Sequence, residues 1–594
     1  MLPRYLITTS DEKSWKFDRP VIFMGEWCRL HSRSHAWKVL NGIVAKPYGV
    51  TPEEKYRNHL YARNIENQLL DELVIVLNRH HGIEWRKRSW QILLGMWLRQ
   101  YVNMLFNRFN TLENIIHNYS ISGMARYEKD AYTLATKDTE NATLAYNDSE
   151  WNLALISRML DLKGLDDFMF DYIQPNHHMF FVDDSYDSRI SIKEIVKKVV
   201  YGASTIVHFF KKESDAFIYN TYLSKIRETY LQLMLGQFPQ IWKFDRPVKT
   251  HVSKIDLRKK LTNELIASPV YSFEDIVRAL AFELIPIVYL EGFMDMQDFV
   301  NAEPWPKNPK FIFTSYSVVT DEPFKMYTAK KVQFGSKYIV GQHGNGYKTH
   351  WELDSNIDEV TCDQFLTWGW RGNFPQHVRA FMPKKKMQPM NKNGGLLLVN
   401  NSLFPRFSIW DVLHEQSVYF KGQQDFVAAL DQYIKNDLVI RLHRDYVVTG
   451  WDDRARWSEF DENLKVNLGE TSFSHLAAAS RLIVFSYDST GILQSLANNI
   501  PIIAFFPDGL NHIHEDVKKD YKLLIDAGIL HLTAISAAKK INQIWADIEG
   551  WWRSDYTQIA RIKFCKEYAN TSDHEIRDLT CLLETSMASK VSFH

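Results

Sequence analysis

The sequence predicts an α/β protein built as two Rossmann-like lobes facing a central cleft, with a helical insertion in the first lobe. Three observations carry this reading: short apolar runs alternate with helical stretches in both halves, polar or glycine-rich residues close the runs, and a basic segment with prolines and glycines separates the halves. The 594 residues suffice for two large lobes or for three or four smaller units. Hydrophobic residues at 45% and charged residues at 24% describe a globular chain far from disorder. The 71 basic and 71 acidic residues cancel, which argues against nucleic acid as a partner held by a global positive field. Cys28, Cys362, Cys565 and Cys581 form no CxxC pair, so neither a disulfide framework nor a thiolate zinc site is expected and a reducing cytoplasm fits. Charged residues at 11–13 follow the opening segment at once, which predicts no secretory signal. The longest uncharged run, 489–507, contains Gln494, Asn498 and Pro501 and reads as helix, turn and strand, not as a membrane span.

The elements follow in order. Residues 5–8, 21–24 and 73–77 read as buried strands, and the mixed three- and four-residue apolar spacing over 85–109 as a helix. Residues 110–260 read as a mostly helical insertion interrupted near 179–182. Strands return at 311–315, 338–342 and 364–367, closing a first lobe over 1–383. The segment 384–395 is the linker, and its run Lys384, Lys385, Lys386 is expected in solvent or against anionic lipid at the inner face of a membrane. A second lobe over 396–594 carries strands at 396–399, 438–442, 482–485 and 502–506, with helices at 424–435, 473–479 and from 490. The heptapeptide WKFDRPV occurs at both 15–21 and 242–248, but its flanks differ and no repeat period follows.

Three places carry chemistry. The strand at 482–485 runs through Ser486, Asp488, Ser489, Thr490 and Gly491 into a helix, and a helix N-terminus with free N–H groups binds phosphate. Asp488 would repel a phosphate, so capping or a ribose hydroxyl is its expected role. A second strand delivers Arg441, His443 and Arg444 to its end, a set suited to a diphosphate clamp, with Arg444 also able to pair with Asp445 on the surface. The third is the loop at 343–348, His343, Gly344, Asn345, Gly346, Tyr347 and Lys348, whose glycines let backbone approach a substrate and whose histidine stands at the lip. Glu26 follows the strand at 21–24 and is the carboxylate expected to face the cleft, with a salt bridge to Arg29 as the competing reading. Two acidic clusters carry less. The run 179–187 has aspartates after a strand, and 512–516 holds His512 and His514 without a partner set, so no metal site is expected.

The His-Gly loop, the strand ending in Arg-x-His and the strand–Ser-x-Asp-Ser-Thr–helix turn together resemble GT-B glycosyltransferases. The segments 6–28, 312–329 and 341–351 look like a bacterial family of surface-carbohydrate transferases related to enzymes that use CMP-activated ulosonic acids, namely Kdo and pseudaminic-type sugars. The resemblance implies a metal-independent, cytoplasmic transferase without a cofactor. It would move a sugar from a nucleotide donor, CMP-linked, to a surface or lipid-linked glycan. His443, Ser489 and Thr490 would then hold CMP, and Glu26 or His343 would take the acceptor proton. Arg444 stands where many relatives have proline. A polyol-phosphate transferase using CDP-glycerol or CDP-ribitol, and a non-catalytic glycan-binding or export component, are the alternatives.

Overall fold

The computed structural model describes residues 3–588 apart from 129–131, 165–168, 176–207, 243–248, 250, 267–268, 384, 403–407 and 411. The acidic run at 179–187 and most of the second WKFDRPV copy lie outside the described residues. Sixteen strands among the described residues form three sheets, every pairing within them parallel. The first contains β1 (Arg4–Ile7), β2 (Val21–Phe23), β3 (Gly42–Val44), β4 (Ile121–Tyr127) and β5 (Met169–Ile173), in the order β3-β2-β1-β4-β5. The second contains β6 (Phe217–Ile218), β7 (Phe311–Thr314), β8 (Lys337–Gly341), β9 (Gln364–Thr367) and β10 (His377–Arg379), in simple sequential order. The third contains β11 (Gly395–Val399), β12 (Leu438–Arg441), β13 (Lys465–Asn467), β14 (Ser480–Phe485), β15 (Ile502–Phe505) and β16 (Leu530–His531). Its order, β13-β12-β11-β14-β15-β16, is that of a doubly wound dinucleotide-type sheet, with a topological switch between β11 and β14.

The α/β architecture agrees with the sequence reading, while the first half differs from it in two ways. It holds two sheets instead of one, because 110–260 is no single helical insertion: β4 and β5 complete the first sheet and β6 edges the second. Residues 73–77 are not a strand either. They lie inside the helix Pro52–His81, which starts at a Thr51–Glu54 capping box with Pro52 in the first turn and ends at Gly82, φ 66°. Five apolar residues in a row suit a buried strand and a buried helix turn equally, and here the caps decide. Similarly, 424–435 is two helices, Val412–Ala428 and Gln432–Lys435.

The helices Pro52–His81 and Lys87–Asn118 pack along each other, and the second also packs on Glu322–Gln333 and Ile357–Thr361, so they tie the first sheet to the second. The second helix is rich in buried aromatic residues, with Trp90, Trp97 and Tyr101 fully buried and Trp90 donating to Asn78 of the first helix at 2.8 Å. The central runs of the third sheet, Leu396 to Val399, Leu482 to Phe485 and Ile502 to Phe505, are buried throughout, as parallel strands covered by helices on both faces must be. The end of the chain leaves the third sheet. Ile576, Leu579 and Leu583 of the last helix pack with Phe311, Ile339 and Leu366 of the second. The outgoing segment at 380–382 and this returning segment touch: Asn570 accepts from Met382 N–H at 2.7 Å and its side chain donates to the Ala380 carbonyl at 2.9 Å. No helix among the described residues is long and apolar enough to cross a membrane.

Candidate functional site

The loop after β8 meets the turn after β14, and most of the expected site residues gather there, though in roles the sequence did not indicate. Asn345 donates its backbone N–H to Thr490 Oγ1 at 3.0 Å and its side-chain amide to Asp488 Oδ1 at 2.7 Å. The other Asp488 oxygen accepts from Tyr521 at 2.8 Å and faces His350 Nε2 at 3.0 Å and His512 Nε2 at 3.4 Å. Burial alone would push this carboxyl up, but the bonds from the two histidines hold it well below the usual carboxylate range. The same pairing raises His350 against the opposing effect of its burial. Asp488 is therefore neither a cap nor a ribose contact but the centre of a clasp between the second and third sheets. His350, Asp488 and His512 also form the group among the described residues that offers three metal-ligand atoms, all within 4.8 Å of one another.

Several other candidates are committed to structure. Ser486 is fully buried, donating to the Val399 carbonyl and bonded to Tyr419 at 2.9 Å. Ser489 accepts from Gly491 N–H at 3.2 Å and so caps the helix Thr490–Ala497, as expected of it. A side chain at Gly491 would strike the Phe485 ring. Tyr347 is buried and donates to Asp358, and Lys348 pairs with Asp516 at 2.8 Å, so both are engaged within the protein. Gly346, φ 95°, is needed because a Cβ there would come within 2.5 Å of Leu353. Gly344 remains open, its nearest neighbour being Thr490 Oγ1 at 3.7 Å from a Cβ position. The His512 and His514 cluster finds partners: His514 pairs with Asp354 at 2.8 Å and Asp516 with Lys348.

What stays available lies at strand ends. Arg441 closes β12, and its Nε is buried with no hydrogen-bond partner among the described residues. Burial lowers its pKa, with Tyr487 the nearby group that favours its charge. His443 accepts the Asp445 N–H on Nδ1 at 3.2 Å, which leaves Nε2 as its proton-bearing, donating nitrogen. Arg444 is mostly exposed and lies 3.5 Å from Asp445, the surface pairing that competed with function. In the loop after β8, His343 hydrogen-bonds Tyr347 at 3.1 Å and sits 3.6 Å from Asp358. Burial pushes its pKa below the ordinary histidine value, against the pull of Asp358 and the Ser315 carbonyl, so the ring is neutral at pH 7. Its ring lies parallel to Tyr222 at 6.3 Å and edge-on to Tyr316 at 5.3 Å, and Lys385 stands over Tyr222 at 5.7 Å. Sequence reasoning missed Tyr222, Asp358 and Lys385. Only Lys385 had a signal, the basic run of the linker.

Glu26 is placed elsewhere. It makes a bidentate pair with Arg29, at 2.6 and 2.7 Å, so the competing salt-bridge reading holds. Glu26 lines a recess where the first sheet's loops meet the helix Val412–Ala428 and the segment 450–456.

A doubly wound parallel sheet, with an arginine at a strand end whose Nε has no hydrogen-bond partner among the described residues, is compatible with a group-transfer enzyme. The sequence agrees: residues 4–583 match a family of transferases. It is the LIC12162 family transferase group, and the chain belongs to it. Among solved structures, the wall teichoic acid polymerase TagF is similar at 11% identity, covering 68% of this chain and all of its own, with a TM-score of 0.33. CalG4, the calicheamicin glycosyltransferase, aligns at 10% identity over 58% of this chain and 83% of its own, TM-score 0.30. MurG of Acinetobacter baumannii aligns at 10% over 63% and 99%, TM-score 0.29. No curated protein sequence matches the chain significantly.

Proposed function

We propose that this transferase moves a sugar from a CMP-linked donor, a nonulosonic acid of the pseudaminic type or Kdo, to a bacterial surface glycan, without a metal. The observation that carries the reading is Arg441: a half-buried guanidinium at the end of β12 whose Nε has no partner among the described residues, beside the β11/β14 switch point where doubly wound sheets bind ligands. Arg441 and His443 Nε2 would hold the leaving phosphate and stabilise the negative charge that grows on it as the glycosidic bond breaks. The neutral ring of His343, backed by Tyr347 and Asp358, is the base for the acceptor hydroxyl. Glu26, tied to Arg29, is better suited to organising the neighbouring recess than to taking a proton.

Thermal shifts with CMP, CDP, UDP, GDP and ADP test the reading. At 100 times its dissociation constant a ligand adds about 2.7 kcal/mol. CMP or CDP should give the largest shift without added metal, and a UDP-only or manganese-dependent response overturns the cytidine donor. CDP far ahead of CMP would favour polyol-phosphate transfer. Calorimetry on Arg441→Ala and His443→Ala should show weakened nucleotide binding on an intact fold.

A further inference from the structure

The recess beside Glu26 has a volume of about 290 Å³, just below the roughly 300–1,000 Å³ of small-ligand sites and enough for one sugar ring. Its charges do not cancel. Arg29 neutralises Glu26, and His31 pairs with Glu459 at 2.9 Å. Arg456 is left over. Its Nε donates to the Trp451 carbonyl at 2.9 Å and its guanidinium lies over the Phe420 ring at 4.5 Å, but among the described residues no carboxylate forms an ion pair with it. Burial lowers its pKa, while Asp453, Asp452, Glu459 and Glu26 favour its charge from a distance without forming an ion pair with it. The second sign is Gln416, only 1% exposed, which lines the same recess with both polar atoms of its amide lacking a hydrogen-bond partner among the described residues. Such a group costs about 1–3 kcal/mol unless something satisfies it. Trp37, its ring covered by Arg29 at 5.1 Å, adds an apolar wall to the recess.

We propose that this recess is the acceptor subsite and takes the terminal ring of an anionic saccharide, its carboxylate or phosphate paired with Arg456 and its hydroxyls with the Gln416 amide. The word acceptor rests on the transferase reading; binding of the anion does not. The position suits the role. Tyr419, one helical turn from Gln416, reaches Ser486 and the Asn401 N–H at the nucleotide crevice, so the two sites flank one helix.

The test is calorimetry of the full chain with methyl β-glucuronide, glucose 1-phosphate and methyl β-glucoside. At least one anion should bind about tenfold tighter than the neutral glucoside, and which anion it is tells carboxylate from phosphate. Arg456→Gln should abolish that preference. Ser417→Glu, an exposed position on the rim, should weaken the anion by placing a like charge beside it, and it keeps the test valid if the arginine variant fails to fold. CMP shifts should be unchanged in both variants. No preference for either anion, or a preference that survives in Ser417→Glu or in folded Arg456→Gln, overturns the proposal. Anion binding lost in Arg456→Gln while no nucleotide shifts the wild type would keep the recess and remove the nucleotide-donor reading.

Discussion

Asn345 of the second sheet's loop and Asp488 of the third sheet's turn are joined amide to carboxylate at 2.7 Å, which makes the facing ends of β8 and β14 a bonded seam. The carboxylate has four neighbouring donors in all, from Asn345, His350, His512 and Tyr521. Hydrogen bonds to a buried charge contribute about 1.5–3 kcal/mol each. Asp488→Asn keeps the size, removes the charge and turns one oxygen into a donor facing other donors. Urea unfolding should show a loss of about 3 kcal/mol or more. A loss under about 1 kcal/mol would mean that the seam adds little to stability.

The same seam has a pH signature. His350 is raised in the folded protein, so its contribution is full below the unfolded value of about 6.5 and is lost as pH rises through the folded one. Asp488 is lowered, so its contribution is present above about 3.9 and is lost as pH falls through its folded value. Stability from the seam should therefore be greatest between about pH 4 and 6.5. His350→Gln should flatten the alkaline side of that profile in a denaturation series, and an unchanged profile would remove His350 as the source.

Asp453 gives the opposite case for a carboxylate. Burial pushes it up to about 7, with Asp452 adding to the shift and Arg456 opposing it. Its raised folded value makes stability fall as pH rises from about 4 to 7, because only the unfolded chain ionises freely there. Asp453→Asn should be more stable than the wild type at pH 8 and nearly equal to it at pH 4.5. Equal pH dependence in both proteins would show that Asp453 is hydrated.

His343→Ala should bind CMP normally and transfer at least about 100-fold more slowly, since loss of a general base typically costs about 10²–10⁴ in rate. Tyr347→Phe should also lower turnover, by a smaller factor, because it leaves the ring without its tether to Asp358. Glu26→Gln should leave the nucleotide affinity alone. Turnover within a factor of about three in His343→Ala would mean that another group takes the proton.

Four of the third sheet's six strands were legible as short apolar runs ended by polar residues, while the edge strands β13 and β16, three and two residues long, carry no such run. The first two sheets were harder. Their strands are separated by the helices Pro52–His81 and Lys87–Asn118, whose own apolar stretches, such as 73–77, imitate strands. The site shows the same division. Arg441, His443 and His343 were visible because strand ends are where parallel sheets present function. Asp488, Asn345 and Tyr347 were read as ligand contacts because a loop's polar residues look alike until their partners are known. Their partners are brought in by folding: His350, His512 and Tyr521 lie 138, 24 and 33 residues from Asp488, and Asp358 lies 11 from Tyr347, so no local pattern announces them.

The contact between Met382 and Asn570 bears on how the second and third sheets are held together. Two separate chain crossings join them, and here they lie side by side with the Asn570 carbonyl accepting from the Met382 N–H. Adjacent crossings act as a doubled tether at a second place, apart from the Asp488 seam. A protease cut in the exposed stretch 385–393 would sever one crossing and leave the other, so the nicked protein should still elute as a single particle.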